Sequence, residues 1–393
     1  MSTLKVDAIR HNSATSDAIT TASDGTCTAK LTSIGGGGLS HRNKFINGAM
    51  TISQRATSFT STLADNEYTL DRFKHIIRGT NDSHYTQVSD HPDNFTKSMK
   101  VKCNSTYTPS ASDNAGFQSM LEGQDLQDLN FGSANANSFT VSFYAKSASQ
   151  NNNHQYTFQI RTYPSGGAAT RIKNFPFTVT TSWQRFTFTF TGDTGADIRN
   201  DNQLGMALLW NLNAGPDDIT SQYTDWTSLN KYMCVTGQSN FLDNTNNEFY
   251  LTGVQLEVGD TATSFEHRSF GEELRRCERY FQCLKGPSSI PSGTNENCFG
   301  IGFAYTTGRV LWPFIFKTEM RSNPTVAVST QADLQALGVS GGWNSSTSFV
   351  STNNFNTLGG RVDMNFSGSP FTAGHAAEVR LVSSNLLSFA AEL

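Results

Sequence analysis

QRFTFTFTG (184–192) places Phe186, Phe188 and Phe190 on one side of an extended chain, and Thr187, Thr189 and Thr191 on the other. Successive side chains of a strand point to opposite faces, so this reads as an antiparallel strand with one face in a core and one in water. The pattern recurs on both sides of it. FTVSFYAK (139–146) alternates Phe139, Val141 and Phe143 with Thr140, Ser142 and Tyr144, and YTFQIRTY (156–163) puts Tyr156, Phe158 and Ile160 on one face. GMALLWNL (205–212) and EFYLTGVQLEV (248–258) are more continuously apolar, as inner strands of a sandwich are. Turns rich in Gly, Asn and Asp, such as TGDTGAD (191–197) and NLNAGPDD (211–218), separate them. Many short strands over about 41–265 predict a β-sandwich.

Composition agrees with an all-β protein. The 393 residues suggest two or three folded units at roughly 100–200 residues each. With 28 Phe, 11 Tyr and 5 Trp there is ample bulky surface for cores. Charged residues are only 16%, and 29 Lys+Arg against 33 Asp+Glu give a net charge of −4. That balance argues against nucleic acid as a partner. No run approaches the ~18–20 apolar residues of a membrane span, so no membrane insertion is expected. MSTLKVDAIRHNSATSD (1–17) lacks the apolar stretch of a secretory signal. The six cysteines form no CxxC, and the nearest pair, Cys277 and Cys283, would point to different faces of a helix. They read as free buried thiols of a protein made in a reducing compartment, with no metal and no cofactor.

The chain divides into a leader (1–40) ending in the hinge-like Gly35–Gly38 run, a sandwich (41–268), a short helix and linker (269–297), and a smaller C-terminal β unit (298–393). FGIGFAY, RVLWPFIF, PTVAVST, STSFVST, GRVDMNF, AAEVRLV and LLSFAAEL supply seven β segments for this second sandwich. The leader is too small for its own core and is expected to dock elsewhere. Ser269 and Glu272 form a helix-opening capping box. Leu274, Cys277, Phe281 and Leu284 follow at 3-4-3 spacing, a stripe that either joins copies of the chain or packs on the adjacent sandwich.

Chemistry is hard to place. Glu266-His267-Arg268 combines acid–base types, but adjacent residues of an extended chain diverge and no nucleophile lies nearby. Glu266 and Arg268 are therefore expected to form a salt-bridged clasp between sandwich and helix. There is no GxSxG, HExxH or P-loop. Carboxylate pairs for glycoside hydrolysis could come from Asp217-Asp218 near Trp226, or from Glu122 with Asp125. Glycan binding asks for a flat ring flanked by hydrogen-bonding groups. LLWNLNAGPDDITSQYTDWTSLNKY (208–232) offers Trp226, Tyr223 and Asp217 in a long loop, and SGGWNSSTS (340–348) offers Trp343.

HRNKFINGAMTISQR (41–55), YTLDRF (68–73), FTVSFYAKS (139–147), WQRFTFTF (183–190) and FYLTGVQLEVGDTATSFEHRSFGEELRRCERYFQ (249–282) together resemble a family of tailed-phage structural proteins. STLKVDAI (2–9), FKTEMRSNPTVAVS (316–329) and SFAAEL (388–393) extend the resemblance to both ends. The family comprises tail-fibre and receptor-binding proteins of marine and cyanobacterial, podovirus-like phages, built on a jelly roll like that of carbohydrate-binding modules. The resemblance implies a non-enzymatic homotrimer on the virion, assembled in the host cytoplasm. Its leader would bind other virion proteins, and its body a glycan or protein of the host surface. A decoration of the capsid or tail surface is one alternative, and a glycan-depolymerising tailspike another. Such jelly rolls often hold a structural calcium, but Ala49, Thr252 and Gly253 stand where its carboxylates would be.

Overall fold

The structure, a computed structural model, describes residues 6–10, 12–13, 18–23, 27–29, 41–80, 82–228, 232–285, 298–350, 355–382 and 386–393. In the leader, Ala8–Ile9, Ile19–Thr21 and Cys27–Ala29 form a small antiparallel sheet. Gly35–Gly38 and the linker 286–297 lie outside the described residues.

Among the described residues the fold is all-β: a jelly-roll sandwich, one short α-helix and a smaller C-terminal β unit. Two six-stranded sheets make the sandwich. The first runs Thr227–Ser228, Arg171–Thr178, Gln155–Thr162, Leu204–Ala214, Asn114–Glu122, Lys74–Arg78; the second runs Gln184–Phe190, Phe139–Ser147, Glu248–Val258, Ser98–Cys103, Ser83–Val88, Ser58–Phe59. The Phe/Thr strand is an edge strand, paired antiparallel along Phe139–Ser147 from Gln184↔Ala145 to Phe190↔Phe139. Thr187 and Thr189 face water while Phe190 is buried and stacks on Phe139 at 4.8 Å. The alternation thus places one face of the strand in the core. At the centre of that core, fully buried Trp210 lies against Phe117, Phe143, Phe158 and Phe73, with ring centroids 5.2–6.3 Å apart. Such offset and edge contacts add to the burial of each ring.

Ser269 caps the helix Phe270–Glu278, its Oγ accepting from the Glu272 amide at 3.2 Å. The helix stops earlier than the 3-4-3 stripe suggests. Tyr280 N turns back to Cys277 O at 2.9 Å, and Phe281–Lys285 leaves as a strand paired with Leu386–Ala390. Cys277 and Phe281 are buried within the chain, and Leu284 packs on the distal core. Leu274 is half-buried on the helix. The stripe therefore packs on its own chain, and it is not a continuous helical seam. The cause is the strand partner supplied by the chain's last residues, which a helical period cannot register.

The distal unit packs a three-stranded sheet (Phe281–Lys285, Leu386–Ala390, Thr325–Val328) against a seven-stranded one with Cys298–Thr306 at its centre. Phe389 bridges the layers, stacked on Phe314 at 4.7 Å. The two units are joined by buried charge. Glu122, with no exposed surface, accepts from Arg279 Nε and Nη2 at 2.7 and 2.8 Å and from the Tyr280 hydroxyl at 2.6 Å. Glu392 receives Arg72 and Arg55, and Arg72 lies 3.4 Å over the Tyr280 ring. Arg321 completes the joint by donating to Ala391 O, Glu392 O and Asn202 O.

Candidate functional site

The first sheet has an outward face that a ligand could use only if it were open. It is closed by the chain itself. Thr157, Gln159, Asn174 and Asn211 point away from the core yet are fully buried. Gln159 and Asn174 both donate to Met233 O, at 3.3 and 3.2 Å; Thr157 Oγ1 receives Val235 N at 2.9 Å and donates to Gln238 at 2.8 Å. Further along, Tyr232 lies over the Arg161 guanidinium at 4.0 Å. Ile76, Met120, Ala207 and Leu209 are covered by Tyr68, Tyr163, Tyr232 and Leu393. Buried polar groups need partners, and for Thr157, Gln159 and Asn174 a loop supplies them in place of a ligand.

The predicted glycan contacts belong largely to that closing loop. Trp226 is wedged into the core edge: Nε1 donates to Thr191 O at 2.9 Å and its ring meets Phe131 edge-on at 5.6 Å. Tyr223 is half-buried and its amide donates to Asn174 Oδ1 at 2.8 Å. Asp217 is exposed and accepts from Ser112 Oγ at 3.2 Å. Trp343 lies in the distal unit under the Arg380 guanidinium, at 3.9 Å. The four are not gathered into one surface, and both tryptophans are engaged by neighbours.

The acidic candidates offer no open pair: burial and then the charge of nearby Glu122 push the exposed Asp125 carboxyl up, but Glu122 itself has no exposed surface. Asp218 is buried, 3.9 Å from Arg78, while Asp217 beside it faces solvent. Glu122 is committed to Arg279 and Tyr280, as above. Glu266 and Arg268 do clasp, though not each other. Glu266 Oε2 accepts from Asn43 N at 2.8 Å, and Arg268 pairs with Glu273 at 3.1 Å and donates to Phe45 O and Asn43 O. Burial pushes the Glu266 carboxyl up, but the amides of Asn43 and Arg42 and the nearby Arg268 outweigh it and hold it below its ordinary value. His267 packs on the Phe95 and Phe265 rings at 5.3 and 4.8 Å. Where calcium carboxylates would sit, Thr252 Oγ1 donates to Lys97 O and Gly253, at φ +65°, abuts Phe95 and Tyr144. Among the described residues no three His, Cys, Asp or Glu are grouped for a metal ion.

The second sheet behaves differently. Its outward face is covered at one end, where Gln255 and Glu257 are buried under the Thr263–Glu266 strap through hydrogen bonds to Thr263, Ser264 and Glu266. The other end is accessible. Trp183 and Tyr250 stand there with ring centroids 6.2 Å apart at 74°, an angled notch. Lys146 Nζ lies 5.5 and 4.7 Å from the two rings and 2.6 Å from Asp90 Oδ2, and Trp183 Nε1 donates to Asp90 Oδ1 at 3.1 Å. Burial raises the Asp90 carboxyl, but the hydrogen bonds from Lys146 and Trp183 outweigh it and set the group below its usual value. Tyr250 donates to Glu248, which also pairs with Lys100 at 3.3 Å. Burial, reinforced by the Glu248 carboxylate, pushes the Tyr250 hydroxyl up, so it stays a protonated donor.

These residues were not among the sequence candidates, although the strand parity contains the signal. Phe186, Phe188 and Phe190 face the core, so Trp183 falls with the threonines on the solvent side. Tyr250 sits between buried Phe249 and Leu251, and Tyr144 between buried Phe143 and Ala145. Aromatic side chains at water-facing positions of consecutive strands mark a surface with work other than packing.

No family model matches the chain, and no curated protein matches it. Among solved structures, the tailspike protein 4 enzymatically active domain of bacteriophage CBA120 is 14% identical with a TM-score of 0.29, covering 55% of this chain and 21% of that one. A family 11 carbohydrate-binding module from Clostridium thermocellum, in complex with a β-1,3-1,4-mixed-linked tetrasaccharide, is 13% identical with a TM-score of 0.28, over 52% of this chain and 97% of that one. A xylan-binding domain from Paenibacillus barcinonensis is 13% identical, also at 0.28, over 50% of this chain and 92% of that one.

Proposed function

We propose that this protein is a non-enzymatic structural component of a tailed-phage virion, a tail fibre or receptor-binding protein whose sandwich contacts host-surface glycan. The observation that carries this reading is the contrast between the two sheet faces. One is closed by the chain's own loop, and the other presents Trp183, Tyr250 and Tyr144 among hydrogen-bonding side chains. Rings with flanking donors and acceptors suit the apolar and hydroxyl-bearing sides of a sugar. The sequence resemblance supports a place on the particle. The commitment of Glu122 to the joint, and the burial of Asp218 away from Asp217, speak against the carboxylate pairs a glycosidase would use.

In this reading the chain acts as a homotrimer, with its leader on another virion protein. The surface that supports self-association is the outer face of the distal seven-stranded sheet. There Ile301, Phe303 and Tyr305 project from the central strand with 66%, 45% and 58% of their surface exposed, and Ile315 from the neighbouring strand Arg309–Ile315 with 83%. Contiguous exposed apolar surface of this kind favours a covered interface.

Gold-labelled antibody against the full chain, imaged on intact particles, tests the assignment. Label at the tails is expected. Label spread over the capsid would favour the decoration reading, and reducing ends released from host polysaccharide by the purified protein would favour the tailspike.

A further inference from the structure

We propose that the open face of the second sheet selects acidic saccharides, chains bearing carboxylate or phosphate groups, over neutral ones. The proposal rests on the glycan-binding reading above and names its ligand class.

Tyr250 pairs with Lys146 on one side and Lys100 on the other, and Lys100 pairs with Thr86. Gln184↔Ala145 brings Trp183 alongside Lys146. The result is a row across the sheet, Trp183, Lys146, Tyr250, Lys100, Thr86. The next row along pairs Glu248 with Lys102 and Lys102 with His84. Arg185 opposes Tyr144, and Lys97 leads into the strand that carries Lys100 and Lys102.

This face therefore carries Lys97, Lys100, Lys102, Lys146 and Arg185, against the carboxylates of Asp82, Asp90, Glu248 and, under the strap, Glu257. Its charge is opposite to that of the chain, which is −4 overall. Two cations are paired, Lys146 with Asp90 and Lys100 with Glu248, and Asp82 lies 3.7 Å from His84. The others point to neutral groups: Lys97 Nζ donates to Ser89 Oγ at 3.0 Å, and Arg185 to Ser142 Oγ and Thr263 O. Lys102 is half-exposed beside Glu248.

Each part of an acidic sugar has a counterpart here. The angled Trp183 and Tyr250 rings offer apolar surface to a pyranose. The oxygens of Asp90 and Glu248 accept from its hydroxyls. Lys102 and Arg185 offer charge to its acid groups, while Lys146, paired with Asp90, holds the notch in place. A cation held at an aromatic notch is also favourable in its own right, so the site is pre-arranged before ligand arrives. A neutral glycan would use the rings and leave the cations unanswered. A bare polyanion would use the cations and leave the rings unanswered.

The test uses the full chain on immobilised polygalacturonate, alginate and teichoic acid. Methyl-esterified polygalacturonate serves as the same backbone without charge, and neutral β-glucan and duplex DNA are included for comparison. At least one acidic polymer is expected to bind about tenfold or more tighter than any neutral one, with affinity falling as salt rises. Trp183→Ala and Lys102→Glu are each expected to weaken that binding by about tenfold at unchanged melting temperature. Equal binding of acidic and neutral polymers would overturn the ligand class and leave the glycan reading standing. Binding to no saccharide would remove both. DNA bound as tightly as the best acidic saccharide, and indifferent to Trp183→Ala, would reduce the face to a charge patch.

Discussion

Replacing Glu122 by alanine is expected to destabilise the protein by about 3–5 kcal/mol, the range for removing one partner of a buried ion pair. Glu122 is fully buried, and its two oxygens receive Arg279 twice, the Tyr280 hydroxyl and Gln124 Nε2. Truncation strands a guanidinium that is 30% exposed and a hydroxyl that is buried, so neither recovers full hydration. Glu122→Gln keeps the shape and one acceptor, and is expected to cost less. Because the residue ties the sandwich to the distal unit, urea unfolding of Glu122→Ala is expected to separate into two transitions. A single transition displaced by less than about 1 kcal/mol would show that the units do not depend on this joint.

The second large effect is a loss of stability with acid, traced to His75. Its side chain is 1% exposed, with Nδ1 2.9 Å from the Tyr85 hydroxyl and the two rings edge-to-face at 5.5 Å. Burial pushes its pKa down to about 4, and Asp65 offsets this only in part. The unfolded chain, with an imidazole near 6.5, therefore takes up a proton first as pH falls. Stability from this group is complete above about pH 6.5 and is lost as pH drops toward 4. The linkage amounts to about 2–3 kcal/mol between pH 7.5 and 4.5. In His75→Gln, which cannot titrate, that part of the slope should vanish, as read from urea midpoints across the range. Identical slopes in both proteins would place the acid sensitivity elsewhere.

How far these features were legible depended on whether their partners were local. The Phe186/Phe188/Phe190 alternation needed nothing beyond its own strand, and the half-buried antiparallel strand it predicts is there. The Ser269–Glu272 cap is equally local. The end of the helix was not, since Phe281–Lys285 becomes a strand only because Leu386–Ala390 returns to pair with it. The closed sheet face was hidden for the same reason. Gln159, Asn174 and Asn211 look like solvent-side polar residues until the segment around Met233–Gln238 is laid over them. Trp226 and Trp343, chosen because their surroundings read as loops, proved to be held by packing and by a guanidinium. Trp183 and Tyr250 could have been found by asking which aromatic residues fall on the water side of an alternating strand. That question needs only the parity already used to predict the fold.

The open sheet face is proposed to hold an acidic glycan without cutting it. Affinity electrophoresis through gels containing acidic polysaccharide, with the polymer recovered and sized afterwards, tests both halves at once. Migration of the wild-type chain is expected to be retarded, Trp183→Ala to run freely while Trp226→Phe is retarded like wild type, and the polymer to keep its length. Retardation that survives loss of Trp183, or a shortened polymer, would contradict it.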